Sequence, residues 1–300
     1  MPIPDGPVLV TGGSGQVARA LGTALGEVPH LVIGRPAFDF ERPDTLPPLL
    51  HRLRPSLVVN AAAYTAVDRA ETEPDAARRA NAEGPAILAA YCAKAGIPLI
   101  HLSTDYVFDG DKPGAYVEGD ATNPTGVYGR TKRDGEAAVL AACPQAIVLR
   151  TAWVYAESGR NFVLTMLGAA RRSGAQAAKL RVVADQVGCP TAAADLARVI
   201  AAIAARIRVD GFDPAWAGVT HAAGAGSVSW HGFAEAIFAD PVALGVTPPE
   251  LTPIATADWP TPARRPANSR LDCARLAEVF GLRMPAWRDS LVRTLDAIVR

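Results

Sequence analysis

Lysine is scarce in this chain: Lys94, Lys112, Lys132 and Lys179 are the only four among 30 basic side chains. Because 30 acidic side chains balance the basic ones, the formal net charge is +0, and there is no global field to recruit nucleic acid or an anionic membrane. Cysteine is scarce too. Cys92, Cys143, Cys189 and Cys273 lie far apart, with no Cys-x-x-Cys pair and no histidines at metal-ligand spacing. That excludes a disulfide framework and a zinc-type cluster, and predicts free thiols in a reducing compartment. No apolar run approaches the roughly 20 residues of a membrane span. The stretch Met1-Pro2-Ile3-Pro4-Asp5-Gly6 lacks the basic region and apolar core of a secretory signal. A cytoplasmic location is therefore expected. Neither internal repeats nor low-complexity tracts are present, and His30, His51, His101, His221 and His231 show no spacing that suggests a triad.

What is present is a regular alternation. Short apolar runs at Val8-Leu9-Val10, Leu31-Val32-Ile33, Leu57-Val58-Val59-Asn60, Pro98-Leu99-Ile100-His101-Leu102 and Ile147-Val148-Leu149-Arg150 read as strands. Alanine-rich helical stretches such as Gln16 to Leu25 and Pro74 to Ala95 separate them. Continuous apolar strands alternating with helices predict an α/β fold, a doubly wound parallel sheet covered on both faces. Ligands of such sheets bind at the carboxyl ends of the strands. The periodicity breaks down after about residue 222, and the stretch from Thr247 to Asn268 is rich in proline. Helical segments flank it (Val228 to Phe238 and Asp272 to Phe280), which suggests a smaller, mostly C-terminal domain. The expected division is 1–150 plus about 180–222 for the sheet domain, and about 151–179 plus 223–300 for the smaller one.

Thr11-Gly12-Gly13-Ser14-Gly15-Gln16-Val17-Ala18 follows the first strand and opens a helix, the context that a dinucleotide-binding loop requires. Gly12 and Gly15 permit the turn and a close backbone approach, and the helix N-terminus can receive a pyrophosphate. A purely structural glycine turn has the same pattern. Without a Gly-Lys-Ser/Thr sequence, a P-loop nucleotidase is not expected. Arg35 lies about twenty residues after Gly15, just past the second strand. A carboxylate there would bind the ribose 2′-hydroxyl of NAD, whereas an arginine can pair with the 2′-phosphate of NADP. NADPH is the expected cofactor, with NADH use left open.

Tyr128 and Lys132 stand four residues apart in Val127-Tyr128-Gly129-Arg130-Thr131-Lys132. On a helix both project from one face. An ammonium at roughly 4–5 Å and an effective dielectric near 20 attracts a phenolate by about 3–4 kcal/mol. That predicts a tyrosine pKa lowered by roughly two to three units, fit for proton exchange near neutral pH. An ordinary side-chain pair on an exposed helix shows the same spacing.

Further motifs narrow the reading. They are Asn60-Ala61-Ala62-Ala63-Tyr64-Thr65-Ala66-Val67-Asp68, Ser103-Thr104-Asp105-Tyr106-Val107-Phe108-Asp109-Gly110, Arg150-Thr151-Ala152-Trp153-Val154-Tyr155, Asn161-Phe162, Asp185-Gln186-Val187-Gly188-Cys189-Pro190-Thr191 and Arg265-Pro266-Ala267-Asn268-Ser269. With the glycine-rich loop and Tyr128–Lys132, in this order, the chain resembles the dTDP-4-dehydrorhamnose reductases, extended short-chain dehydrogenases/reductases with a Rossmann-type sheet. The resemblance implies NAD(P)H-dependent reduction of the C4 ketone of dTDP-4-dehydro-β-L-rhamnose, the last step of dTDP-rhamnose biosynthesis. It implies Tyr128 as proton donor, Lys132 tuning it and holding the nicotinamide ribose, and Thr104 bonding the substrate oxygen. Gly15, Gln16 and Val17 would touch the pyrophosphate, Asp39 and Phe40 the adenine, and Ala63, Tyr64 and Thr65 the cofactor's flank. Asp105 and Tyr106 would line the substrate pocket, Trp153 would offer the sugar a flat apolar face, and Arg265 and Asn268 would grip the nucleotide end.

The Asp105-Tyr106 pair lacks the glutamate that a sugar dehydratase carries directly after its aspartate, and Arg35 argues against the tightly held NAD of an epimerase. Some relatives bind Mg²⁺ through acidic residues near the C-terminus in a homodimer contact. Here residues 291–300 contain only Asp296, so a need for Mg²⁺ and a homodimer are both left open. Two other readings stay open: reduction of a different nucleotide 4-keto sugar, and a non-catalytic NADP-binding subunit resembling the regulatory subunit of methionine adenosyltransferase. The intact set Thr104, Tyr128, Lys132 and Trp153 favours the enzyme.

Overall fold

The five apolar runs form strands; side chains that alternate across a strand can be apolar on both sides only when both faces are covered, which holds for all but the second run, an edge strand whose Leu31 is exposed. In the computed structural model they are β1 (Val8–Thr11), β2 (His30–Ile33), β3 (Leu57–Asn60), β4 (Leu99–Thr104) and β5 (Ala146–Thr151). An edge strand, Gly218–His221, adds to β5, giving a six-stranded sheet in the order edge strand-β5-β4-β3-β1-β2 with every pairing parallel. The structure describes residues 5–172, 177, 179–240, 243–247 and 249–299; the Met1-Pro2-Ile3-Pro4 stretch, Pro248 and Arg300 considered above lie outside them.

Alternation sends one set of strand residues to each face. Val8, Val10, Leu57, Val59, Ile100, Ile147 and Leu149 pack beneath helix α1 (Gln16–Ala24) and the helix Ala193–Asp210. The latter buries Leu196, Ile200, Ile203 and Ile207, the stripe that a helix facing a sheet requires. Leu9, Val58, Leu99 and Val148 face the other way, toward Leu46, Leu50, Leu88 and Val139 of the opposite helices. The winding reverses at β1: β2 lies on one side and β3, β4 and β5 on the other. The crevice between β1 and β3 is therefore the switch point at which ligands of such sheets bind.

The smaller unit is built from short strands. Val228–Ser229, Val187–Gly188 and Asn268–Ser269 form one sheet, while Glu250–Ile254 pairs with Lys179–Val183. The boundary expected at about 180 falls inside this unit, because residues 179–188 pair with later segments and not with the large sheet. In the other direction, Leu276, Phe280 and Met284 pack into the core under the large sheet although they follow residue 223. Two-residue strands carry no period, and their partners lie far along the chain. The proline-rich stretch itself holds the strand Glu250–Ile254.

The helix Val127–Ala142 is fastened to β5 by a buried ion pair: Arg150 Nε and Nη2 donate to the Glu136 carboxylate at 2.9 and 2.7 Å. Both side chains are 5% exposed. Arg150→Met should lower the unfolding free energy in urea by about 3–5 kcal/mol, because it leaves Glu136 buried without its counter-charge. The double variant Glu136→Leu/Arg150→Met should lose far less. Equal losses in the single and double variants would refute the assignment.

Candidate active site

Gly12 ends β1 with φ +104, where a Cβ would lie 2.8 Å from the Ala61 carbonyl oxygen; only glycine fits. The loop then delivers the chain into α1, whose N-cap Gly15 makes no side-chain cap and whose first turn carries no acid. A Cβ on Gly15 would approach only the Gly12 oxygen, at 3.2 Å. An uncapped helix N-terminus with open space before it, at the carboxyl edge of the sheet, fits a pyrophosphate. Gln16 is already engaged: its amide oxygen accepts from Asn161 Nδ2 at 2.8 Å and its Nε2 donates to the Arg160 oxygen at 3.4 Å. Val17 packs against the core beneath. Arg35 is exposed just past β2. Asp39 is half-buried and accepts from the Glu41 amide at 3.1 Å. The Phe40 ring is buried edge-on against Phe38, so its side chain belongs to the core rather than to an open adenine face.

At the switch point, Thr11 Oγ1 donates to Asn60 Oδ1 at 2.6 Å, and Asn60 Nδ2 meets His101 Nδ1 at 2.9 Å. His101 is fully buried, and burial, with help from the Lys132 charge, holds its pKa well below the ordinary histidine value. It is the neutral core residue its apolar strand suggested. Ala63, Tyr64 and Thr65 follow β3 at the carboxyl edge of the sheet. Their anchor is a residue that sequence reasoning missed. Asn81 accepts from the Tyr64 amide at 2.8 Å, donates to the Tyr64 oxygen at 3.1 Å and donates to Thr131 Oγ1 at 3.1 Å. It sits in a π-turn, Arg79–Glu83, inside what reads as one helix from Pro74 to Ala95. The Gly84-Pro85 step within that run was the available signal of a local break.

Thr104 is the last residue of β4, and its hydroxyl accepts from the Tyr106 amide at 3.2 Å while donating to Asp105 Oδ1 at 3.1 Å. The hydroxyl thus caps the strand end, and it also opposes the rise in the Tyr128 pKa. Tyr128 opens the helix Val127–Ala142, whose first amide donates to Glu71 Oε1 at 2.7 Å, a long-range cap not visible in the sequence. Lys132, one turn on, is 2% exposed and donates to the Leu102 oxygen of β4 at 2.6 Å.

The electrostatics correct one expectation. Burial raises the Tyr128 pKa well above the usual phenol value, Asp105 and Tyr106 add to the rise, and only Thr104 opposes it. The lowering expected from Lys132 does not prevail over burial: its own ammonium is desolvated to a pKa of about 8 and donates to the Leu102 oxygen. The surface-like dielectric behind the sequence estimate does not hold where both groups are buried. Tyr128 is accordingly a protonated phenol, the state an acid needs. Asp105 is buried as well, and its pKa rises to about 6, with Ser269 and Thr104 pulling it back only in part.

The expected sugar contacts are rearranged. Trp153 holds a left-handed backbone, φ +47, which costs about 1–3 kcal/mol in a residue other than glycine. Its ring stacks on Trp230 with centroids 3.5 Å apart and planes 8° apart, an arrangement worth about 0.5–1.5 kcal/mol. A Cβ on Gly188 would lie 2.4 Å from a Trp153 ring carbon, so the Gly188 backbone packs closely against the indole as well. Trp230 therefore covers one of the two faces that Trp153 could offer a sugar. Asn268 is likewise consumed by structure: Nδ2 donates to the Lys112 and Gly114 oxygens at 2.6 and 2.8 Å, and Oδ1 accepts from Arg270. It pins the loop after β4 and has no group to spare for a nucleotide. Arg265 pairs with Asp68 at 2.7 Å, and its guanidinium carbon lies 6.0 Å from the Tyr106 ring centre. The Tyr106 ring meets Tyr128 edge-on at 5.5 Å. Among the described residues, no group of three or more His, Cys, Asp or Glu is placed to hold a metal ion, and no helix is long and apolar enough to cross a membrane.

Comparison with known proteins gives a consistent picture. Residues 6–300 match the family described as the RmlD substrate binding domain. The chain is 44% identical over 291 residues to a dTDP-4-dehydrorhamnose reductase of Sinorhizobium fredii, covering 97% of each. It is 43% identical to a Streptomyces antibioticus protein named as a probable dTDP-4,6-dihydroxy-2-methyloxan-3-one 4-ketoreductase, covering 94% of this chain and 92% of that one. A solved dTDP-4-dehydrorhamnose reductase of Bacillus anthracis in complex with NADP superposes with a TM-score of 0.85 at 32% identity, covering 97% of this chain and 99% of that one.

Asp105 gives this site a pH signature. Its folded pKa is raised from 3.8 to about 6, so the folded protein holds a proton that the unfolded chain releases across that window. Stability should therefore fall as pH rises from about 4 to about 6, by about 3 kcal/mol in all. Asp105→Asn cannot ionise and should lose that decline, matching the parent near pH 4 and exceeding it at pH 7 in urea unfolding. If the decline survives in the Asn variant, another group is responsible.

Proposed function

The chain belongs to the RmlD substrate binding domain family, and from that premise we propose that it reduces the C4 ketone of dTDP-4-dehydro-β-L-rhamnose with NADPH, yielding dTDP-L-rhamnose. It is an oxidoreductase of nucleotide-sugar biosynthesis with a Rossmann-type sheet. One observation carries the chemical reading: the helix Val127–Ala142 brings a protonated Tyr128 and a buried Lys132 to the end of β4 beside Thr104, one strand from the switch point. When bound, NADPH supplies the hydride. Gly12, Gly15, Gln16 and Val17 at the start of α1 would receive its pyrophosphate, and Ala63, Tyr64 and Thr65 would flank it.

The chain's own residues manage the proton. Tyr128 donates to the C4 oxygen as alkoxide character develops there. Lys132 has one N–H on Leu102 and two left over, so its charge can stabilise the phenolate that remains and its donors can reach a ribose hydroxyl. Thr104 steadies the same oxygen, and Asp105 and Tyr106 line the pocket. Arg265, set by Asp68 beside Tyr106, suits the diphosphate of the nucleotide. Arg35, exposed and in no ion pair among the described residues, suits the adenosine 2′-phosphate.

The deciding assay follows NADPH absorbance with dTDP-4-dehydro-β-L-rhamnose and identifies the product. Tyr128→Phe should lower kcat by about 10²–10⁴ while leaving NADPH affinity nearly intact. NADPH binding without oxidation by the parent protein would overturn the reductase reading, and faster turnover of another dTDP-4-keto sugar would replace the substrate. Arg35→Asp should shift the ratio of kcat/KM for NADPH over NADH by about 10- to 100-fold toward NADH. An unmoved ratio removes Arg35 from the 2′-phosphate site.

A further inference from the structure

Trp153 lies two residues beyond Thr151, which pairs with Thr104 in the register of β4 and β5. The indole thus stands at the same edge of the sheet as the proton-handling residues. Trp230 covers one of its faces, and the Gly188 backbone packs closely against the ring. The residue that decides how Trp153 meets a ligand is therefore the one stacked on it.

Trp230 is itself held from several sides. It opens the helix Trp230–Ile237, whose N-cap Ser229 accepts from the Gly232 amide at 3.0 Å. Its ring packs on Phe162 at 4.7 Å and lies 6.4 Å from Phe233. Phe162 follows Asn161, the partner of Gln16 in the glycine-rich loop, but Asn161 is secured separately by the Ala156 oxygen and the Leu164 amide. The aromatic stack and the cofactor loop are neighbours with independent supports.

We propose that Trp230 is a positioning residue for the sugar half of the substrate. It holds Trp153 in its left-handed backbone conformation next to Gly188, so that the sugar meets a fixed indole and not a ring free to turn. The position of the single indole donor, Nε1–H, is fixed with it. The proposal rests on the reductase reading, since it takes the ligand beside Trp153 to be a nucleotide sugar.

The test compares Trp230→Leu, Trp230→Ala and Trp230→Phe with the parent enzyme. Leu fills the space without stacking, and it serves if the Ala variant fails to fold. Loss of the clamp should lower kcat/KM for the keto sugar by about 10- to 100-fold, since a misplacement of about 1 Å has that effect. NADPH affinity should stay unchanged, and Phe should restore most of the activity. The stacked indoles should also give an exciton couplet in far-ultraviolet circular dichroism that vanishes in all three variants and persists in the parent saturated with dTDP-L-rhamnose. Normal kcat/KM in the Leu variant overturns the proposal. So does a couplet lost on saturation, which would make the pair a gate that opens. If the parent enzyme does not reduce the keto sugar, the reductase reading fails by itself. The clamp is then judged by dTDP-L-rhamnose affinity, which must weaken in the Leu variant, and an unchanged affinity sinks it.

Discussion

The architecture of the site depends on one requirement: a helix that turns a charged stripe toward a sheet must have each charge answered. Tyr128, Lys132 and Glu136 stand at successive turns of one helix face. Lys132 is answered by the Leu102 carbonyl of β4, and Glu136 by the Arg150 guanidinium of β5. Because burying either charge unpaired would cost several kcal/mol, the helix has one register and one azimuth against the sheet. Tyr128 is a turn above Lys132 on the same stripe, so that register also fixes where the phenol stands relative to Thr104. The phenol is thus placed by contacts made one and two turns further along the same helix.

Burial has a second consequence. The desolvation that makes the charges costly raises the Tyr128 and Asp105 pKa values and lowers that of Lys132. All three shifts favour the neutral form, and each is removed to the extent that a counter-charge appears. If Tyr128 is the proton donor proposed above, the phenolate it leaves one helical turn from Lys132 would meet an ammonium that is itself poorly solvated, and the Coulomb gain would fall in the step that moves the proton.

The sheet was legible because parallel strands covered on both faces are written as short continuous apolar runs, and β1 through β5 all are. The loop before α1 was legible because its glycines occur between such a run and a helix. The site was legible only as residue identities. That Asn268 would be consumed by Lys112, Gly114 and Arg270, or that Glu71 would cap a helix 56 residues away, depends on contacts between distant segments that leave no local pattern. Asn81 hid for a different reason: a π-turn keeps helical composition on both sides, and only the Gly84-Pro85 step marks it. The tyrosine pKa was misjudged in direction because the Coulomb term can be read from spacing but the desolvation term cannot.

Trp153 shows how the two kinds of information differ. Its motif marks it as a site residue, yet the face it was expected to offer is closed by Trp230, and that follows from a left-handed backbone no sequence pattern announces. The strain at φ +47 and the stack on Trp230 are of similar size, so neither is a surplus. A ring that stacked without strain could sit anywhere along the strand end, and a strained backbone without a stack would relax. Held together, they set the orientation of Trp153 at the same sheet edge as Thr104. Rigidity at that point does not come from the sheet. It comes from the smaller unit, whose short strands carry Gly188 and whose helix carries Trp230, so the two indoles are set by segments outside the large sheet.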